Sequence, residues 1–231
     1  HPFSSLSIDL IYGIPTLTNA KWLENLNYIK EYELRHFSAY ALTIEEQTLL
    51  YHQVKNDIIG KPDEALYYEQ FELLRSWIKN NGFEQYEVSN FAKDGSYSLH
   101  NSSYWQHYPY MGLGPAAHSF DGIIRSWNIA NTPKYCKAIA DGNIFTEFEE
   151  LGKLDLINEY IMLGLRCHFG VDLNKIQAIS QKALDKILTR VGNNFSTEIK
   201  QIDNKLFLEP EHYIISDYII EKLILNENEI L

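Results

Sequence analysis

The 231-residue chain is 45% hydrophobic and 13% aromatic, which supports one large or two small domains with a proper core and excludes a disordered chain. Its 20 basic and 31 acidic side chains give a net charge of −11, arguing against nonspecific nucleic-acid binding and against anionic membrane surfaces. Apolar runs are too short to span a membrane, no secretory leader is visible, and Cys136 and Cys167 are too few for a disulfide framework or an all-cysteine zinc site.

In chain order, Leu6 to Tyr12 is a short apolar run closed by Gly13 and Pro15, the signal of a buried strand. Asn19 is placed to cap a helix carrying Trp22, Leu23, Leu26 and Ile29 on one face. His36 to Leu42 reads as a second strand, and strand–helix–strand with short connections predicts a parallel pair. After an excursion through 43–61, Pro62, Asp63 and Glu64 open a helix lined by Leu66, Phe71, Leu74, Trp77 and Ile78, which Gly82 closes. Phe83 to Phe91 alternates as a strand.

Leu-His-Asn-Ser-Ser-Tyr-Trp at 99–105 then falls in a predicted loop rich in Ser, Asn and Gly. Residues 116–120 and 123–128 form a predicted hairpin turned by Asp121-Gly122. From Pro133 the pattern becomes helical over 133–141, 152–167 and 180–192. A small hairpin over 199–208 and a last helix over 213–225 complete a winged-helix-like arrangement.

Three groups of residues invite a chemical reading. Asp9 interrupts an apolar strand expected to be buried on both faces, where an unpaired carboxylate costs several kcal/mol, roughly. It is either bonded to a neighbouring loop at the strand's open end or directed into a barrel mouth to hold a ligand. Gly112-Leu-Gly-Pro-Ala-Ala-His118 is no dinucleotide fingerprint and has no P-loop lysine, yet its small residues permit close approach of a backbone or a flat ligand. His100 is either a solvated loop histidine or an iron ligand with aromatic neighbours that stack on a porphyrin. Zinc is disfavoured, because His100 and His107 have no Cys or acidic residue between them. No Gly-x-Ser-x-Gly elbow supports a triad hydrolase.

The motifs Asp9-Leu-Ile-Tyr-Gly-Ile-Pro15, Phe37 to Thr43, Gln85 to Ala92, His100-Asn-Ser-Ser-Tyr-Trp105 and Gly112 to Ser119 stand in one order. Together they resemble the oxygen-independent coproporphyrinogen III oxidase-like proteins of the radical SAM superfamily, and within it the haem-chaperone branch. The resemblance is firm to about residue 130 and looser beyond. It implies an α/β fold: the last part of a partial (β/α)6 barrel over 1–130, with the motif loop and added strands, then a mostly helical winged-helix-like domain over 131–231.

It further implies haem contact by His100, Asn101, Tyr104 and Trp105, with His100 the candidate iron ligand. Asp9, Ala41 and His118 match contacts of S-adenosylmethionine. A haem chaperone serving an acceptor haemoprotein is the expected function. The alternatives are coproporphyrinogen III oxidase or a protein-interaction module. A cytoplasmic location is expected, with both thiols buried, and a homodimer is compatible with the resemblance. The departure is the [4Fe–4S] cluster, which the family holds through Cys-x-x-x-Cys-x-x-Cys. Cys136 and Cys167 do not have that spacing. A chain opening on His1 with a strand almost at once is therefore expected to be part of a longer protein, with on the order of 140 residues preceding it.

Overall fold

A computed structural model describes residues 6–143 and 146–230. The chain divides into two compact units, His1–Ser98 and Leu99–Leu231.

The first unit opens with β1 (Ser7–Tyr12), α1 (Asn19–Glu31) and β2 (His36–Ala41). β1 and β2 pair in parallel with Ser7 opposite His36 and Tyr12 opposite Ala41, as the short connections predict. A short α2 (Leu49–Lys55) lies in the excursion, and α3 (Glu64–Asn80) follows it. The expected strand over 83–91 is instead two short antiparallel strands, β3 (Glu84–Gln85) and β4 (Asn90–Ala92). The chain reverses between them because the Tyr86 N–H donates to the Asn90 carbonyl and the Glu87 carboxylate accepts from the Ser89 N–H.

The sheet order is β1-β2-β4-β3, so among the described residues β1 is an edge strand, and Asp9 is exposed where a strand buried on both faces is the expectation. Alternation along the strands sorts the two faces. Phe37 and Phe91 lie on the apolar one, stacked 4.8 Å apart. Trp22, Leu26 and Ile29 of α1 and Phe71, Leu74 and Trp77 of α3 complete this core, all buried. Thr18, not Asn19, caps α1, its hydroxyl accepting from the Lys21 N–H, while Asn19 reaches Glu69. Asp63 caps α3, and Gly82 follows its last turn at φ +71°, the left-handed stop expected there.

The second unit begins with α4 (Leu99–Trp105), then the β5 (His118–Phe120) and β6 (Ile124–Asn128) hairpin. The Asp121 carboxylate accepts from the Ile123 and Ile124 N–H groups and holds the turn as its sequence predicts. α5 (Thr132–Ala140) intervenes before β7 (Thr146–Glu150), which extends the hairpin to the order β5-β6-β7. The expected domain boundary at 130 thus falls between two strands that pair, whereas the division into compact units comes after Ser98.

The rest is α6 (Lys153–Leu165), β8 (Val171–Asp172), α7 (Leu173–Ile179), α8 (Gln181–Asn194), β9 (Ile199–Ile202), β10 (Lys205–Leu208), a 3-10 turn (Pro210–Ile215), α9 (Ser216–Leu223) and α10 (Glu227–Ile230). The order β8-β10-β9 and the packed helices give the winged-helix-like arrangement. Ile157, Ile161 and Leu165 of α6, Ile187 of α8 and Ile219 of α9 are buried in its core.

Candidate functional site

The stretch expected to be a loop is helical: α4 carries the whole of Leu99 to Trp105. On a helix His100 and Tyr104 share one face, and their rings meet edge-on at 5.0 Å. His100 and Tyr104 are exposed, and Asn101 and Trp105 are half-buried. Tyr104 continues to Tyr110 at 4.7 Å, Tyr110 to Phe120 at 6.1 Å, Phe120 to His107 at 4.5 Å, and His107 to Tyr160 at 5.3 Å. One row of rings therefore runs from the motif histidine to α6.

Next to these residues in sequence, the chain leaves apolar side chains in solvent. Leu99, Met111 and Leu113 are 84%, 81% and 83% exposed. Such exposure of large apolar groups close together in the chain suits a surface that meets an apolar partner or ligand.

His107, to which sequence assigns no role, is the pivot of a polar cluster. Its Nε2 lies 2.7 Å from Glu159 Oε2, and Arg125 Nη2 donates to Glu159 Oε1 at 2.6 Å. Burial alone would raise the Glu159 carboxyl. The hydrogen bonds from His107 and Arg125, with the Arg125 charge, hold it below the ordinary carboxylate range. The loop after α4, β6 and α6 are tied together at this one carboxylate.

The glycine-rich turn has a structural use. A Cβ on Gly112 would stand 2.1 Å from the His118 carbonyl oxygen, so the backbone of β5, not a flat ligand, fills the space glycine leaves. Gly112 N–H donates to Ser119 Oγ, and the Asn128 amide donates to the Gly114 carbonyl at 2.9 Å. His118 is exposed and its ring lies 5.8 Å from Trp127 on the paired strand.

In the first unit, the sheet face opposite the helices is polar. Asp9 pairs in register with Ser38, whose hydroxyl donates to Asn90 Oδ1, and the Asn90 amide donates to the buried Glu87 carboxylate. Ser7 Oγ and His36 Nδ1 are 2.6 Å apart, and His36 Nε2 meets the Tyr86 hydroxyl at 2.8 Å. Burial lowers the His36 pKa against the opposing pull of Asp9, and burial pushes Tyr86 up to about 12. Ala41 alternates with Ala39 and Phe37, so it sits on the helix side of β2, opposite Asp9's face.

The thiols do not form a cluster site. Cys136 is exposed on α5, contrary to the expectation that both are buried. Cys167 is buried after α6 with its Sγ 3.2 Å from the Leu163 carbonyl oxygen. Iron–sulfur ligation takes several thiolates held together, and the two present in this chain do not fit it.

The chain shares its fold with a solved radical SAM enzyme. Over 96% of its length it superposes on 55% of the solved coproporphyrinogen III oxidase HemN of Escherichia coli, described as a radical SAM enzyme, with a TM-score of 0.73 at 16% identity. The Heme chaperone HemW of Mycobacterium tuberculosis is 30% identical over 80% of this chain and 48% of its own length. The mouse mitochondrial radical S-adenosyl methionine domain-containing protein 1 is 34% identical over 72% of this chain and 40% of its own. No family model matches. The chain belongs to the HemW-like family of the radical SAM superfamily, and it spans about half the length of the curated relatives it matches.

Proposed function

We propose that the chain supplies the haem-holding part of a haem chaperone, with haem as cargo passed to an acceptor haemoprotein. The observation that carries this is His100 on an exposed face of α4, beside Tyr104 and close in the chain to exposed Leu99, Met111 and Leu113. A neutral imidazole supplies an iron ligand, and the flanking rings and aliphatic groups suit a porphyrin face. Asn101 and Trp105 complete the motif. Asp9, exposed on the polar sheet face, is the proposed partner for the amino group of S-adenosylmethionine; Ala41 and His118 are proposed as its contacts on the family resemblance alone.

In a spectroscopic titration of the protein, His100→Ala is expected to weaken haem binding at least tenfold, roughly the loss of a strong polar contact, and to shift the Soret band. Unchanged affinity and band would refute the ligand assignment. Because His100 is exposed, the substitution leaves the core intact. The competing reading is coproporphyrinogen III oxidation. Anaerobic turnover of coproporphyrinogen by a longer protein that joins this chain to a cluster-binding segment would favour that reading over the chaperone.

A further inference from the structure

Among the described residues, the β5-β6-β7 sheet ends on an uncovered strand. β7 pairs with β6 alone, and Glu147, Phe148, Glu149 and Glu150 are all exposed. The Leu151 N–H donates to the Ile123 carbonyl at 3.0 Å, while the Asn128 N–H turns the other way, to the Ala117 carbonyl at 2.9 Å. Antiparallel bonding alternates along a strand from such fixed points. Glu147 and Glu149 therefore turn their backbone groups to β6, and Phe148 and Glu150 turn theirs to the open edge. Acidic side chains guard an edge against like strands. An aromatic ring left 71% exposed between them does the opposite, and the residue in register with Phe148 on β6 is Ser126.

The same end of the sheet is acidic. A concavity of about 360 Å³ is lined by Glu149, Glu150, Asp155 and Glu159, with Arg125 the one cation among its lining residues. Arg125 is taken up by Glu149 and Glu159, at 3.3 and 2.6 Å, and Asp155 accepts from the Gly152 N–H. Among the described residues Glu150 carries no ion pair. A strand added to β7 thus meets free backbone groups at Phe148 and Glu150, one exposed ring and an excess of negative charge. A second copy of β7 is a poor occupant, because pairing two copies about Phe148 sets Glu147 against Glu149, like charge against like.

We infer that β7 is a docking edge for an extended basic segment of a partner protein, which adds to the sheet as its fourth strand. Main-chain bonds at Phe148 and Glu150 supply the pairing, and side chains select the sequence. An apolar residue lies against Phe148, and lysine or arginine side chains lie against Glu147, Glu149 and Glu150. The inference is independent of the haem reading of His100.

The probe is a fluorescent peptide with the core Lys-Lys-Val-Lys flanked by threonines, titrated into the protein by anisotropy. Two controls have the same length. One carries glutamate for each lysine; the other keeps the charge but has prolines at alternate positions, which cannot pair as a strand. The basic peptide is expected to bind roughly tenfold more tightly than either control, the worth of one or two main-chain hydrogen bonds, and to slow amide exchange at Phe148 and Glu150. Phe148→Pro removes an N–H that the β6 ladder does not use, so the fold is expected to hold, with circular dichroism as the check. Its binding should fall by a similar factor. Glu150→Lys changes an exposed side chain and should narrow the preference for the basic over the acidic peptide, a readout that stands even where the proline variant does not fold. No binding of the basic peptide, or binding that neither variant alters, would overturn the proposal. Equal binding of the proline-bearing peptide would mean that the edge attracts charge alone, and refutes strand addition. Sedimentation covers the other occupant: self-association that Phe148→Pro abolishes would make β7 an interface between two copies and overturn the assignment.

Discussion

Glu159 shows how one residue can tie three elements together. It accepts from His107 in the loop after α4 and from Arg125 on β6, while belonging to α6 itself. Its folded-state pKa is depressed, so its contribution to stability is complete above the ordinary value of 4.5 and is lost as pH falls through the lower folded value. Glu159→Gln should therefore lower stability at neutral pH and flatten its fall as pH drops below the ordinary carboxylate value; urea midpoints from neutral pH downward measure it, and parallel curves for the two proteins would contradict the account. His36 acts in the same direction at higher pH. Burial lowers its pKa, so stability is complete above the ordinary 6.5 and declines as pH falls from there toward the folded value. None of these ties is legible in the sequence: His107 and Arg125 stand 52 and 34 residues from Glu159, and no spacing rule joins them. Lys175 and Lys205 are equally silent, being separate solvent-facing lysines until the fold brings both to Trp105.

Elements were readable to the extent that their periodicity was strong. α3 is plain because Phe71, Leu74, Trp77 and Ile78 recur at helical spacing between an acidic start and Gly82. α4 is not, since its Asn and two Ser favour turns in isolation and seven residues form no stable helix without tertiary support. β7 escapes notice because its Thr-Glu-Phe-Glu-Glu sequence is acidic, and pairing with β6 alone makes it a strand. Two substitutions test how elements are joined. Gln70 is buried on α3, its amide accepting from the Gly13 N–H at 2.7 Å and donating to the Leu17 carbonyl at 2.8 Å, which fixes the connection from β1 to α1. Gln70→Leu leaves those backbone groups unpaired and should cost about 1–3 kcal/mol, read as a lowered thermal midpoint; an unchanged midpoint would mean that the loop finds other partners. Gly112→Ala places a methyl against the His118 carbonyl and should cost a similar amount, roughly 1–3 kcal/mol, as overpacking does.

At the scale of the whole molecule, five ordered motifs carry the family and the fold class, and both stand on the relatives and on the likeness to a solved radical SAM structure. Burial was the weaker part of the reading. A strand buried on both faces is the expectation for Asp9; among the described residues β1 lies at the sheet edge and Asp9 is exposed there, in a chain that spans about half the length of the relatives it matches. Against the net charge of −11, Lys175 and Lys205 stand out because the fold brings both to one pocket beside Trp105. The central claim is that His100 ligates haem iron, and ligand replacement tests it most directly. His100→Gly, loaded with haem and examined by magnetic circular dichroism with and without added imidazole, should lose the histidine-ligated signature and regain it when imidazole is supplied. A variant whose haem spectrum matches that of the unaltered protein without imidazole would contradict the account.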